Sequence, residues 1–256
     1  MEWEPHPSGP GHTVAGDVRV LCGVESPQLR DRRDLAVYLP PSHGSGRRFP
    51  VVYMHDGRNL FDDASAHAAE WRVDETLEEL AREGLEAIVV AIPHGTDRGG
   101  EYAGARADAY LSFLVDTVRP LVETAFAVDS RPEATGIAGS SLGGVISLHG
   151  LYARPDVFGL AGVFSPAFWW NGDRMFDVVE RTDGPVGRIY IDVGGREDDD
   201  EARRQAYVDG FERMTALLRR KGHDDRSLLA VLDRDALHHE SEWARRLPAA
   251  LRFLLG

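Results

Sequence analysis

The chain has 256 residues, 43% of them hydrophobic and 28% charged, enough apolar material to build a sizeable core in one α/β unit. Its formal net charge of −13 supplies no basic face for nucleic acid and disfavours an anionic membrane surface. The one cysteine, Cys22, excludes an internal disulfide and a thiolate metal cluster. There is no basic start followed by an apolar run and no window of about 18 apolar residues, so neither a signal peptide nor a membrane span is expected, and a cytoplasmic address is the default.

Residues 1–12, rich in Pro, Gly and His, read as a loose arm, and residues 13–256 as a single domain. Val14–Val24 mixes β-branched and polar residues and predicts a first strand. Leu35–Leu39 predicts a second, stopped by Pro40 and Pro41. Val51–Met54 is nearly all apolar, the mark of a strand buried on both faces. From there strands and helices alternate. Val73, Leu77, Leu80 and Ala81 share a helical face, and Ala87–Ile92 is a buried strand closed by Pro93. Leu111, Leu114, Val115 and Val118 mark a helix that Pro120 should kink or interrupt. Thr135–Ala138, Leu160–Phe164, Arg188–Val193 and Leu228–Leu232 are further strands. Tyr207, Phe211, Met214 and Leu218 share one helical face, and Trp243, Leu247, Leu251 and Leu254 another, with a bend expected at Pro248. Trp71 and Trp243 fit core positions. The order predicts an α/β fold with a mostly parallel central sheet and helices on both faces. The Gly- and charge-rich loop from His94 to Asp108 is long enough to shape a pocket.

In such a sheet, sites form at the carboxyl ends of strands. Gly139-x-Ser141-x-Gly143 has the pattern of a nucleophile elbow, in which a strand turns sharply into a helix and presents a strained serine. Larger side chains at Gly139 and Gly143 would collide with the turn, and Gly144 lets the helix lie close to the strand. A serine hydroxyl needs a base to take its proton, and the base needs a carboxylate to hold its tautomer. In α/β-hydrolases these follow in the order serine, acid, histidine. After Arg188–Val193 comes an acidic loop in which Glu197 is the chosen acid, with Asp198 and Asp192 as rivals. The run Glu197–Glu201 also fits a solvated loop or a helix N-terminus. After Leu228–Leu232 come His238 and His239, which position alone does not separate; His223 precedes that strand. One oxyanion donor falls to the Leu142 amide, directly after the serine. The second belongs to the loop after Val51–Met54, where Gly57 would let the backbone approach a substrate closely. Phe168, Trp169 and Trp170 could line an apolar acyl or aryl pocket, or pack a cap. No EF-hand spacing, His-Glu-x-x-His, dinucleotide or Walker pattern is present, so neither a metal nor another cofactor is expected.

Several segments together resemble the Putative esterase family of α/β-hydrolases: Arg33–Pro41, Phe49–Gly57, Ile137–Gly144, Phe164–Trp170 and His238–Trp243. The resemblance spans nearly the whole chain after residue 30. It implies Ser141 as nucleophile and Glu197 as acid. His238, five residues before Trp243, matches the family base, with His239 in place of the usual asparagine. The resemblance also points to the main-chain N–H of Arg58 as the second oxyanion donor. The implied activity is serine carboxylic-ester hydrolysis of a small-molecule ester, without nucleic-acid or membrane partners. The rivals are an acyltransferase using the same triad and a non-catalytic binding protein of the same fold.

Overall fold

The computed structural model describes residues 2–256. Nine strands form one sheet: β1 (Glu4–Pro5), β2 (Asp17–Ser26), β3 (Asp31–Leu39), β4 (Val51–His55), β5 (Ile88–Ile92), β6 (Thr135–Ser140), β7 (Leu160–Phe164), β8 (Arg188–Arg196) and β9 (Leu228–Leu237). Their spatial order is β1-β2-β3-β5-β4-β6-β7-β8-β9. The first three pair antiparallel, β3 joins β5 antiparallel, and every pair from β5 to β9 is parallel. The predicted strand pairs followed by strand–helix units are therefore the architecture observed. The apolar runs behave as their composition requires, since β4, β5, β6 and β7 are buried along their whole length.

Part of the arm expected over residues 1–12 joins the edge of the sheet. Glu4 and Pro5 pair with Val20 and Arg19, and the His12 ring meets the Asp62 carboxylate at 2.6 Å.

Eight α-helices cover the two faces: α1 (Val73–Arg82), α2 (Arg98–Tyr102), α3 (Ala107–Phe113), α4 (Arg119–Ala125), α5 (Leu142–Ala153), α6 (Arg174–Arg181), α7 (Glu201–Arg220) and α8 (Glu240–Leu255). One core layer joins α3, α5, α6 and α7 to the sheet through residues such as Tyr110, Val145, Phe176 and Met214. The other holds α1 and α8 through Leu77, Trp243 and Leu251. Trp71 and Trp243 are both buried and their rings lie 5.3 Å apart. The helix expected to be kinked or interrupted at Pro120 changes its winding just before that residue. Between α3 and α4 the chain widens into a π-type turn over Leu114–Val118, and Pro120 falls in the first turn of α4. There its missing N–H costs nothing, and the wider turn absorbs the clash a proline makes one turn back. α8 continues through Pro248.

His55 closes β4 beneath the elbow. Its ring is buried, with Nδ1 2.7 Å from the Tyr110 hydroxyl. A Cβ on Gly139 would stand 2.9 Å from His55 Cδ2, and one on Gly143 3.4 Å from His55 Cβ. Gly139 is thus needed in part because an imidazole occupies the space, while a side chain at Gly143 would meet His55 only at ordinary contact distance. Burial drives the His55 pKa down to about 3, against a partial lift from Asp56. The folded state keeps this ring neutral while the unfolded chain protonates it near pH 6.5, so its contribution falls as pH drops from about 6.5 towards 3. The expected slope is up to about 1.4 kcal/mol per pH unit. Urea midpoints measured between those limits should fall less steeply for His55→Gln than for wild type; equal slopes would refute the neutral-ring account.

Candidate active site

β6 ends at Ser140 and α5 begins at Leu142, leaving Ser141 alone at the turn with φ 58° and ψ −121°. A non-glycine residue holds such angles only when its surroundings impose them. Here the Ser141 N–H donates to the Phe164 carbonyl at 2.9 Å, and the Ser141 carbonyl accepts from Ala167 N at 3.2 Å. A Cβ on Gly144 would come within 3.1 Å of the Phe164 carbonyl oxygen, so helix and strand do approach as closely as expected.

β8 and β9 both run past their predicted ends, to Arg196 and Leu237, and pair there through a register shift between Gly194 and Arg196. Added Cβ atoms on Gly194 and Gly195 would strike the Ala236 and Arg234 carbonyl oxygens at 2.4 and 2.3 Å, so only glycines fit this bulge. The extension brings Glu197 and His238, the first residues beyond the two strands, side by side. Glu197 Oε2 lies 2.5 Å from His238 Nδ1. Glu197 Oε1 accepts from the Ser165 hydroxyl at 2.6 Å and from the Gly194 N–H. The carboxylate is fully buried, and its donors replace the lost water.

The rival acids are engaged elsewhere. Asp198 accepts from Asp200 N, and Asp200 caps α7 by accepting from Arg203 N at 2.9 Å. The acidic run therefore splits, with Glu197 turned inward and Asp200 capping the helix. Asp192 is buried against Arg246, Nε to Oδ2 at 2.7 Å, and also accepts from the Tyr190 hydroxyl and Ser165 N. His239 instead caps α8, its Nδ1 accepting from Ser241 N. His223 is buried beside Ser227, remote from this cluster in its bonding.

A second layer stands behind Glu197. Ser165, itself at φ 42°, accepts from Trp243 Nε1 at 3.0 Å and Arg246 Nη2 at 3.2 Å while its own hydroxyl donates to Glu197. Sequence reasoning assigned Ser165, Trp243 and Arg246 no polar role. The same holds for Tyr207, placed only on a core helical face. Its ring lies 5.1 Å from that of His238, and burial pushes its pKa up. Among the described residues, Ser141 and His238 share no hydrogen bond, as is common where no substrate is present.

The loop after β4 turns through Asp56, at φ 55°, into a short helical turn over Gly57–Asn59 that contains Arg58. Arg98 grips the Asp56 carboxylate with two bonds of 2.8 and 2.7 Å and stacks over Tyr102, while the Tyr102 hydroxyl accepts from Asp56 N. Gly57 was expected to let backbone approach a substrate. It is needed in any case for the neighbouring strand, because a Cβ there would stand 2.6 Å from Ile92 N. Of the three aromatics, Phe168 is buried against Phe176 in the core. Trp169 meets the Tyr207 ring edge-on at 5.7 Å, and Trp170 is 55% exposed.

The family model described as Putative esterase matches residues 26–254. The uncharacterized protein YbbA of Bacillus subtilis is 26% identical over 245 residues, covering 92% of this chain and 98% of that protein. The siderophore triacetylfusarinine C esterase of Aspergillus fumigatus is 31% identical over 140 residues, 48% of this chain and 45% of the relative. Among solved structures, the siderophore hydrolase EstA from Aspergillus nidulans superposes with a TM-score of 0.73 at 20% identity, over 99% of this chain and 98% of that one. With the elbow at the carboxyl edge of a mostly parallel sheet and a family match over almost the whole length, the chain belongs to the Putative esterase family and is a carboxylic ester hydrolase of the α/β-hydrolase fold.

Proposed function

We propose that ester cleavage proceeds through a serine nucleophile, Ser141, with His238 as base and Glu197 as its orienting acid. The observation that carries this reading is the 2.5 Å contact between Glu197 Oε2 and His238 Nδ1, set beside a serine in strained backbone geometry. Ser141 Oγ attacks the ester carbonyl carbon as its proton passes to His238 Nε2. Glu197 holds the ring by Nδ1 and stabilises the imidazolium. The tetrahedral oxyanion takes hydrogen bonds from the main-chain N–H groups of Leu142 and Arg58. Collapse expels the alcohol with the proton from His238. A water, deprotonated by His238, then releases the acid and restores Ser141. Trp169 and Trp170 give the site an aromatic side suited to an apolar acyl or aryl group.

Arg98 acts at one remove in this scheme. Its two bonds to Asp56 fix the residue two places before Arg58, and so fix where the Arg58 amide points.

With p-nitrophenyl acetate as substrate, Ser141→Ala should lose at least about 10³-fold in kcat while keeping its fold by circular dichroism. Full retained activity would exclude Ser141 as nucleophile. Arg98→Met should lower kcat roughly 10- to 100-fold with little change in KM, since a displaced donor weakens the transition state more than the ground state. Arg98→Lys should recover little of this, because an ammonium lacks the planar fork that matches a carboxylate. A wild-type kcat in Arg98→Met would remove Arg98 from the account.

A further inference from the structure

Away from the elbow, three carboxylates meet where the chain enters α1. One oxygen from each of Glu70, Asp74 and Glu75 lies within 4.8 Å of the other two. Glu70 and Asp74 are 7% and 0% exposed. Each carboxylate has one oxygen already bonded. Thr13 Oγ1 donates to Glu70 Oε2 at 2.7 Å, Ala15 N to Asp74 Oδ2 at 2.6 Å, and Arg72 Nε to Glu75 Oε1 at 3.2 Å. The remaining three oxygens, Glu70 Oε1, Asp74 Oδ1 and Glu75 Oε2, are buried and have no hydrogen-bond partner among the described residues. Buried acceptors without donors are costly, and a buried cluster of like charges more so. The Arg72 side chain that contacts the trio is itself 65% exposed, so it screens them weakly.

We propose that Glu70, Asp74 and Glu75 bind a hard divalent cation, Ca²⁺ or Mg²⁺, which fastens the N-terminal segment to the start of α1. The donor set is all oxygen, the preference of such ions and not of zinc or copper. Oxygens up to 4.8 Å apart can share one ion at Ca–O distances of about 2.3–2.6 Å. The opposite oxygens hold Thr13 and Ala15, so the ion would stand between the arm and the helix. Thr13 also bonds Asp62, and Trp71 N and Val73 N donate to the Asn59 and Leu60 carbonyls. The cation would thereby brace the segment that follows the Arg58 turn. This inference does not depend on which residues cleave the ester.

The full chain, stripped with EDTA and dialysed, should be melted near about pH 7.5 with CaCl₂, MgCl₂ or NaCl at matched ionic strength. CaCl₂ at saturation should raise Tm by roughly 5 °C or more. Terbium should give saturable luminescence sensitised by Trp71, which adjoins Glu70. The double variant Glu70→Gln/Asp74→Asn should lose both responses without a lower metal-free Tm. If that variant does not fold, Glu75→Gln should weaken apparent calcium affinity about 10-fold, one ligand charge being lost. An MgCl₂ response equal to that of CaCl₂ equally supports the site. A wild-type Tm no higher than in NaCl with no terbium signal, or an undiminished response in the variants, would overturn it.

Discussion

The site depends on β8 and β9 outrunning their neighbours. β7 stops at Phe164, opposite Asp192, but β8 and β9 stay paired as far as Arg196 and Leu237. This lifts Glu197 and His238 above the carboxyl edge of the sheet, where the elbow presents Ser141. The bulge that allows it is tight enough to demand glycine at 194 and 195. A buried carboxylate in that position would be costly without donors. Ser165, Gly194 and His238 supply them, so the contact that orients the imidazole also satisfies the buried charge.

Beneath this contact lies a buried polar layer that links three elements. Ser165 follows β7, Asp192 sits in β8, and Trp243 and Arg246 come from α8. Asp192 and Arg246 neutralise one another out of water, and both help to fix Ser165, whose hydroxyl faces Glu197. Buried pairs of this kind add little net stability over apolar packing, but losing one partner costs about 3–5 kcal/mol because the other charge is stranded. Their structural consequence here is register: α8 can dock against β7 and β8 in only one position that satisfies them. On the other side, Arg98 does comparable work for the turn containing Arg58 through Asp56.

The fold was legible because its signals are local. Continuous apolar runs such as Val51–Met54 and Ala87–Ile92 could only be doubly buried strands, and a Gly-x-Ser-x-Gly turn after such a strand has few structural solutions. The proximity of Glu197 and His238 was expected from chain order and resemblance, and the structure brings those two together. The arrangement around them was not legible. Ser165, Arg246 and Tyr207 come from a loop and two helix faces whose sequences look like ordinary core and surface, and their roles arise from contacts 27 to 81 residues distant. Gly57 and Gly139 were read as making room for a substrate and a turn. A Cβ on Gly139 would indeed crowd the turn at Gly143, but it would also strike the His55 ring, and one on Gly57 would strike the Ile92 backbone, neighbours that only the three-dimensional packing reveals. Phe168 was grouped with Trp169 and Trp170 by adjacency, yet a short helical turn over Phe168–Asn171 points it into the core.

The central claim is that covalent chemistry occurs at Ser141 and at no neighbouring hydroxyl. A fluorophosphonate reacts with a serine activated by a base and leaves a stable adduct. Peptide mapping of the labelled, folded protein should find one adduct, on Ser141, formed far more slowly when His238 is replaced by Ala. An adduct on Ser140 or Ser165, or none on folded protein that hydrolyses p-nitrophenyl acetate, would contradict the account.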